Sequence, residues 1–207
     1  MPKLPLPPET EGLRRHTRVV ANWPHDTVLW RVRVTEGPHI VAWNALRHYG
    51  PVASGRFDPH EPPPQEQGEA SGYFALAVPT VLAEVCQAAR VINPRRGAPY
   101  LTGFRPTRVL SLLDLSGDWP ISIGASHAIN TGRKDHSRAW ARALRAAWPA
   151  VDGLSYVSAM TGAGCVALFT PARDTFPDRP DFSEPLAHPD LRSTLAAAAD
   201  SIGYQLL

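Results

Sequence analysis

The stretch Ser54–His60, SGRFDPH, sets an arginine between a glycine and an aromatic, in a run with neither a helical nor a strand period. A guanidinium is a planar fork of five donors, and it grips a phosphate or carboxylate well only when the backbone aims it. Arg56 so placed suits anion binding, although on the motif alone a solvated loop arginine is the simpler reading. Further along, Glu84 falls on the border of an apolar helical stripe, one turn before Ala88. A solvent-facing glutamate belongs opposite such a stripe, so Glu84 reads as half-buried; a border glutamate that merely snorkels to water is the equal alternative.

The elements that must position these groups are partly visible. Val28–Val34, VLWRVRV, alternates, with Val28, Trp30, Val32 and Val34 on one face and Leu29, Arg31 and Arg33 on the other, which predicts a strand. His60–Gly72 is polar and proline-rich and predicts an exposed, mobile loop or insertion beside Arg56. A short strand should then run through Tyr73. A helix opens at Pro79, with Val81, Leu82, Val85, Ala88, Ala89 and Ile92 as its stripe. Thr107–Leu115 predicts an inner strand, and 117–130 a loop with a short helix. Lys134–Trp148 predicts an amphipathic helix stopped by Pro149, with a solvated arginine face. Residues 153–158 and 164–170 predict neighbouring strands joined by AMTGAG, and Leu191–Ile202 a terminal helix. Strands and helices mix without a steady βαβ rhythm, so the fold class is α+β.

Composition narrows the field. The 207 residues, 43% hydrophobic, suit one domain, and the net charge of +2 gives no general attraction to nucleic acid or membrane. Two cysteines, Cys86 and Cys165, and eight scattered histidines make neither a disulfide scaffold nor a metal site. No secretory or membrane-spanning segment is apparent, and the expected location is cytoplasmic. Gly162–Ala167, GAGCVA, fits a dinucleotide-binding turn in letters only, because a strand and not a helix should follow it. GASHA, around Ser126 and His127, lacks the second glycine of a nucleophile elbow.

The order of motifs resembles the RES domain family. GRFDP is similar to that family's Gly-Arg-Trp-Asn-Pro, YFALAVPTVLAEV to its tyrosine strand and Leu-x-Glu helix, and DGLSYVS to its Asp-Gly-Leu-x-Tyr-x-Ser strand, with RAWARAL and GCVALF in register around the last. The resemblance runs from about Val28 to Thr170. It implies an ADP-ribosyltransferase-like fold of small mixed or antiparallel sheets flanked by helices. The implied division is a proline-rich extension over 1–27, the domain over 28–170, and a tail over 171–207 that completes it. By resemblance the site residues are Arg56, Glu84 and Ser158, with Tyr73 and, from the first strand, Arg31. Phe57 and Asp58 depart from the motif, and Ala88 stands where many relatives carry histidine.

The resemblance further implies a toxin that destroys NAD, partnered by an antitoxin with an Xre-type helix-turn-helix domain. NAD would be substrate, with no cofactor and no metal. The chemistry suits these residue types. Nicotinamide departs neutral, so cleavage needs no general acid; it needs a grip on the pyrophosphate and stabilisation of an oxocarbenium-like sugar. Arg56 suits the first and Glu84 the second, as carboxylates do in glycosidases. Tyr73 could stack on a ring, and Ser158 could bond a carboxamide or ribose. Water, phosphate or a protein side chain could be the acceptor, the last giving a protein ADP-ribosyltransferase. A non-enzymatic nucleic-acid or protein binding module on the same scaffold is the reading from another class.

Overall fold

The computed structural model describes residues 3–207. Its elements in chain order are α1 (Thr10–Arg14), β1 (Val20–Trp23), β2 (Leu29–Val34), β3 (Arg47–Gly50), β4 (Gln65–Ala75), α2 (Val78–Cys86), β5 (Val91–Ile92), β6 (Pro99–Phe104), β7 (Leu110–Asp114) and α3 (Trp119–Ser122). Then follow α4 (Lys134–Ala147), β8 (Gly153–Val157), β9 (Gly164–Phe169), β10 (Phe182–Pro185), α5 (Arg192–Ile202) and β11 (Gln205–Leu206). The main sheet runs β1-β7-β8-β9-β4-β2-β6-β10, with β3 added on β4. Within it only β7 and β8 pair in parallel. The fold is thus α+β, a mostly antiparallel sheet flanked by helices.

Strand alternation divides the core in two. Along β9, Cys165, Ala167 and Phe169 join the larger cluster, which includes Val81 and Leu82 of α2, Trp140 and Leu144 of α4, and Leu195 and Ala198 of α5. The alternate residues Val166 and Leu168 join a second cluster with Leu29, Leu46, Phe74 and Phe104, covered by Trp43 and Phe176. Period-two geometry requires this separation, because successive side chains leave a strand on opposite faces. Residues near the start of the chain enter the same core: Leu4 and Leu13 are buried in the larger cluster, and Pro5 carbonyl accepts from Trp140 Nε1 at 2.8 Å.

The segment 60–72 is corrected by the structure. Gln65–Gly72 begins the 11-residue β4, and His60 and Ala70–Gly72 are buried, so the segment is strand rather than loop from Gln65 on, while Glu61–Glu66 are exposed as expected. Its polarity has a physical cause. The first half of β4 pairs with β3, Glu66 opposite Tyr49, on a rim where both faces reach solvent, so no apolar alternation is demanded. Gln67 then ties the preceding bend, donating to Gly50 and Glu61 carbonyls at 3.0 and 2.6 Å.

The helix after Pro79 is also shorter than its stripe predicts. It ends at Cys86, Arg90 turns the chain with φ of 51°, and Ile92 enters β5. Val85 is 55% exposed and faces a cleft rather than the core. Strand 107–115 contracts to β7, while α4, the β8–β9 pair and α5 lie where the periodicity places them. Strands β1, β3, β6 and β10 carry too little alternation to be read from sequence.

Candidate active site

Arg56 lies between β3 and β4, and both of its flanks are anchored. Phe57 is buried against Tyr156, rings 4.7 Å apart and edge-on, and its amide donates to Tyr73 Oη at 3.1 Å. Asp58, fully buried, accepts from Val52 amide and from Arg47 Nη2, each at 2.8 Å, and bonds His60 Nδ1. Burial alone would raise its carboxyl, but His60, the Val52 amide and Arg47 together hold it down at about 2. A Cβ at Gly55 would sit 2.9 Å from Tyr73 Oη and 3.2 Å from Asp58 Oδ2, so a side chain here would displace one of those two anchoring groups. From α4, Lys134 donates to Ser54 carbonyl at 3.0 Å and Arg138 to Gly55 carbonyl at 3.2 Å. Arg56 itself donates from Nη1 to Gly132 carbonyl at 2.6 Å. Burial lowers its pKa, and the charge of Glu84 opposes that shift.

Glu84 is carried by α2, whose Val81 and Leu82 are buried one turn earlier. Its Oε1 accepts from Ser158 Oγ at 2.5 Å. Ser158 follows β8 in the tight turn to β9, its amide bonded to Ala163 carbonyl at 2.8 Å. The same hydroxyl accepts from Met160 and Thr161 amides at 3.0 and 3.2 Å, and the residue is 3% exposed. Ser158 is thereby committed to aiming the carboxylate, with no free face for a carboxamide or ribose.

Arg56, Tyr73 and Glu84 line one cleft of about 630 Å³, a size suited to a small-molecule ligand. Arg47, Lys134 and Tyr156 share its walls, and Glu84 is the one carboxylate among its described lining residues. A lobe of about 210 Å³ adjoins it and brings Arg31 to Tyr73 and Glu84. Arg31 Nη1 donates to Ala45 carbonyl at 2.9 Å, and the guanidinium lies 5.6 Å over Phe74. Burial, with Arg33 and Arg47 nearby, lowers its pKa to about 10. Ser158 lies behind Glu84 rather than in either lining.

Three wall residues escaped the sequence reading: Arg47, Lys134 and Tyr156. Arg47 had one usable signal, since a carboxylate at Asp58, buried inside a motif, demands a cationic partner. Among the described residues no three His, Cys, Asp or Glu side chains gather as metal ligands would, and no helix is long and apolar enough to cross a membrane. GAGCVA forms the β8–β9 turn and then a strand, so it opens no helix for a dinucleotide.

No curated protein matches the sequence. Among solved structures, the fold is similar to a chain in the crystal structure of the M. tuberculosis MbcT–MbcA toxin–antitoxin complex, with a TM-score of 0.61 and 21% identity over 90% of this chain and 98% of that one. The RES domain matches residues 28–189, which span every lining residue of the cleft. The chain belongs to the RES domain family.

Proposed function

We propose that this chain is the toxin of a toxin–antitoxin pair and that it cleaves the nicotinamide–ribose bond of NAD on an ADP-ribosyltransferase-like scaffold. One observation carries the reading: a lone carboxylate, Glu84, aimed by Ser158 into a cleft whose other charged walls are cationic. As the bond breaks, positive charge spreads over the ribose C1′ and ring oxygen, and Glu84 stabilises it. That interaction is strongest in the transition state, which is what accelerates a reaction. Arg56 keeps its Nε and Nη2 without a protein partner among the described residues, so they can take the pyrophosphate while Gly132 holds Nη1. Tyr73 and Tyr156 supply aromatic walls, and Arg31 adds charge from the adjoining lobe.

Nicotinamide leaves as a neutral base. Water or inorganic phosphate then bonds to C1′ and loses a proton, giving ADP-ribose or its 1-phosphate. The enzyme acts in the cytoplasm, where unrestrained NAD loss would halt growth, so an antitoxin of the Xre helix-turn-helix type covers the cleft. The test is to incubate purified full-length protein with NAD and measure nicotinamide, in buffer with and without phosphate. Free nicotinamide with ADP-ribose or its 1-phosphate is expected. ADP-ribosylated protein as the sole product would replace this reading with a transferase, and absence of nicotinamide from folded protein would end it.

A further inference from the structure

Past Val85 and Ala88 the cleft continues into a third lobe of about 590 Å³. Arg47, Ser54, Val85 and Ala88 line both spaces, so a methyl group at 88 leaves them joined. The third lobe carries Arg31, Arg33, Arg47 and Arg96, with His39 at its wall, and no aspartate or glutamate among its described lining residues.

That charge is not neutralised from elsewhere. Arg47 is paired with Asp58, but Arg31, Arg33 and Arg96 make no ion pair with the described residues. Three guanidiniums without a carboxylate partner among the described residues thus line one hollow. Arg31 and Arg33 are two residues apart on β2, which places them on the same side of the strand. Arg33 lies 5.3 Å over the ring of Tyr100, and its Nε is buried with no hydrogen-bond partner. A concave wall of one sign also concentrates its field on whatever enters.

We propose that this third lobe is a subsite for a phosphate dianion beyond the pyrophosphate of the substrate. Tetrahedral oxygens suit guanidinium forks, and the dianion supplies the negative charge the lobe lacks. Two sources share that chemistry: a phosphomonoester on the adenosine ribose of a 2′-phosphorylated dinucleotide, and free inorganic phosphate. The subsite deepens the NAD-cleaving reading, since its lobe opens from the same cleft, but it can be tested without turnover.

Full-length protein is titrated calorimetrically with 5′-AMP, with adenosine 2′,5′-bisphosphate and with inorganic phosphate alone. Arg33→Gln and Arg96→Gln are the variants, because both residues line the third lobe and neither lines the other two. Arg96 is exposed, so its variant keeps the test alive if Arg33→Gln fails to fold. With a phosphomonoester as source, the bisphosphate binds about tenfold more tightly than 5′-AMP, the gain of one charge-assisted contact, and the variants erase that gain alone. With free phosphate as source, phosphate binds by itself, competes with the bisphosphate and is weakened by the variants. Equal binding of the two nucleotides, no binding of phosphate and unchanged variants overturn the subsite. Nicotinamide release from NAD with that null binding result removes the subsite and leaves the cleavage; phosphate discrimination without release from NAD removes the cleavage and leaves the subsite.

Discussion

Arg108 and Arg56 are both loop arginines bound to distant parts of the chain, yet their partners differ in kind. Arg108 donates to both oxygens of Asp152 at 2.8 and 2.7 Å and to Asp174 Oδ1 at 2.8 Å. Hydrogen bonds to the two carboxylates raise its pKa. Arg56 is held by a carbonyl, Gly132 at 2.6 Å, and burial lowers its pKa. Carboxylates orient a guanidinium and neutralise it; carbonyls orient it and leave its charge to be used. Arg31 repeats the second pattern, with carbonyls of the 42–45 turn and no carboxylate. The carboxylates divide in the same way. Asp58 is fully buried and saturated by Val52, Arg47 and His60, whereas Glu84 has one side-chain donor and a cleft before it.

If saturated charges are structural and open ones bind, variants should split into two classes. The largest effect is expected at Glu84. Glu84→Gln should cut nicotinamide release by roughly two to three powers of ten, about 3–4 kcal/mol, with the fold and most NAD binding kept. Arg56→Ala should instead weaken NAD binding as well, because its grip is present in the ground state. Nicotinamide release across a range of NAD concentrations separates the two, and a parental rate for Glu84→Gln would reduce Glu84 to a helix border.

Asp58→Asn should act on stability. The folded carboxyl titrates at about 2, below the ordinary unfolded value near 4, so its contribution of about 2.5 kcal/mol is complete above that unfolded value and is lost as pH falls toward 2. Denaturant unfolding of parent and variant at pH 6 should differ by about that amount, and the difference should shrink on acidification. A difference that is flat with pH would break the assignment of Asp58 as a saturated anchor.

Asp152→Asn should cost about 2 kcal/mol by the same measurement, because Arg108 keeps Asp174 and half its clamp is already wet. Nicotinamide release per folded molecule should not change. A loss of activity at parental stability would erase the contrast with Arg56.

The smallest effect is expected at Ser158. Losing one hydrogen bond to a charged group, about 1.5 kcal/mol, should slow release roughly tenfold in Ser158→Ala, in kcat rather than KM. Ser158→Thr, which keeps the hydroxyl, should recover most of it. A raised KM without rescue would mean that Ser158 touches NAD directly.

Much of this was legible from local pattern. Periodicity marked α4 and α5, because each has one face in the core and one outside it, and alternation marked β2; β8 and β9, buried on both faces, showed only as short apolar runs. It failed for β4, where a polar rim strand and a loop have the same composition, and it overran α2, because Val85 is apolar for a cleft rather than for the core. Arg56, Glu84, Ser158, Tyr73 and Arg31 were named through motif resemblance, which identifies residues but not what each is bonded to.

The residue types and their order were sufficient to determine an α+β domain, a near-neutral surface and the cation and carboxylate that the proposed chemistry needs. Only the tertiary structure decided which charges stay open. Whether an arginine meets a carboxylate or a carbonyl depends on contacts across long stretches of chain, Arg56 to Gly132 and Ser158 to Glu84 among them. Such pairings follow from sheet order and turn geometry, and no local period of the sequence encodes them.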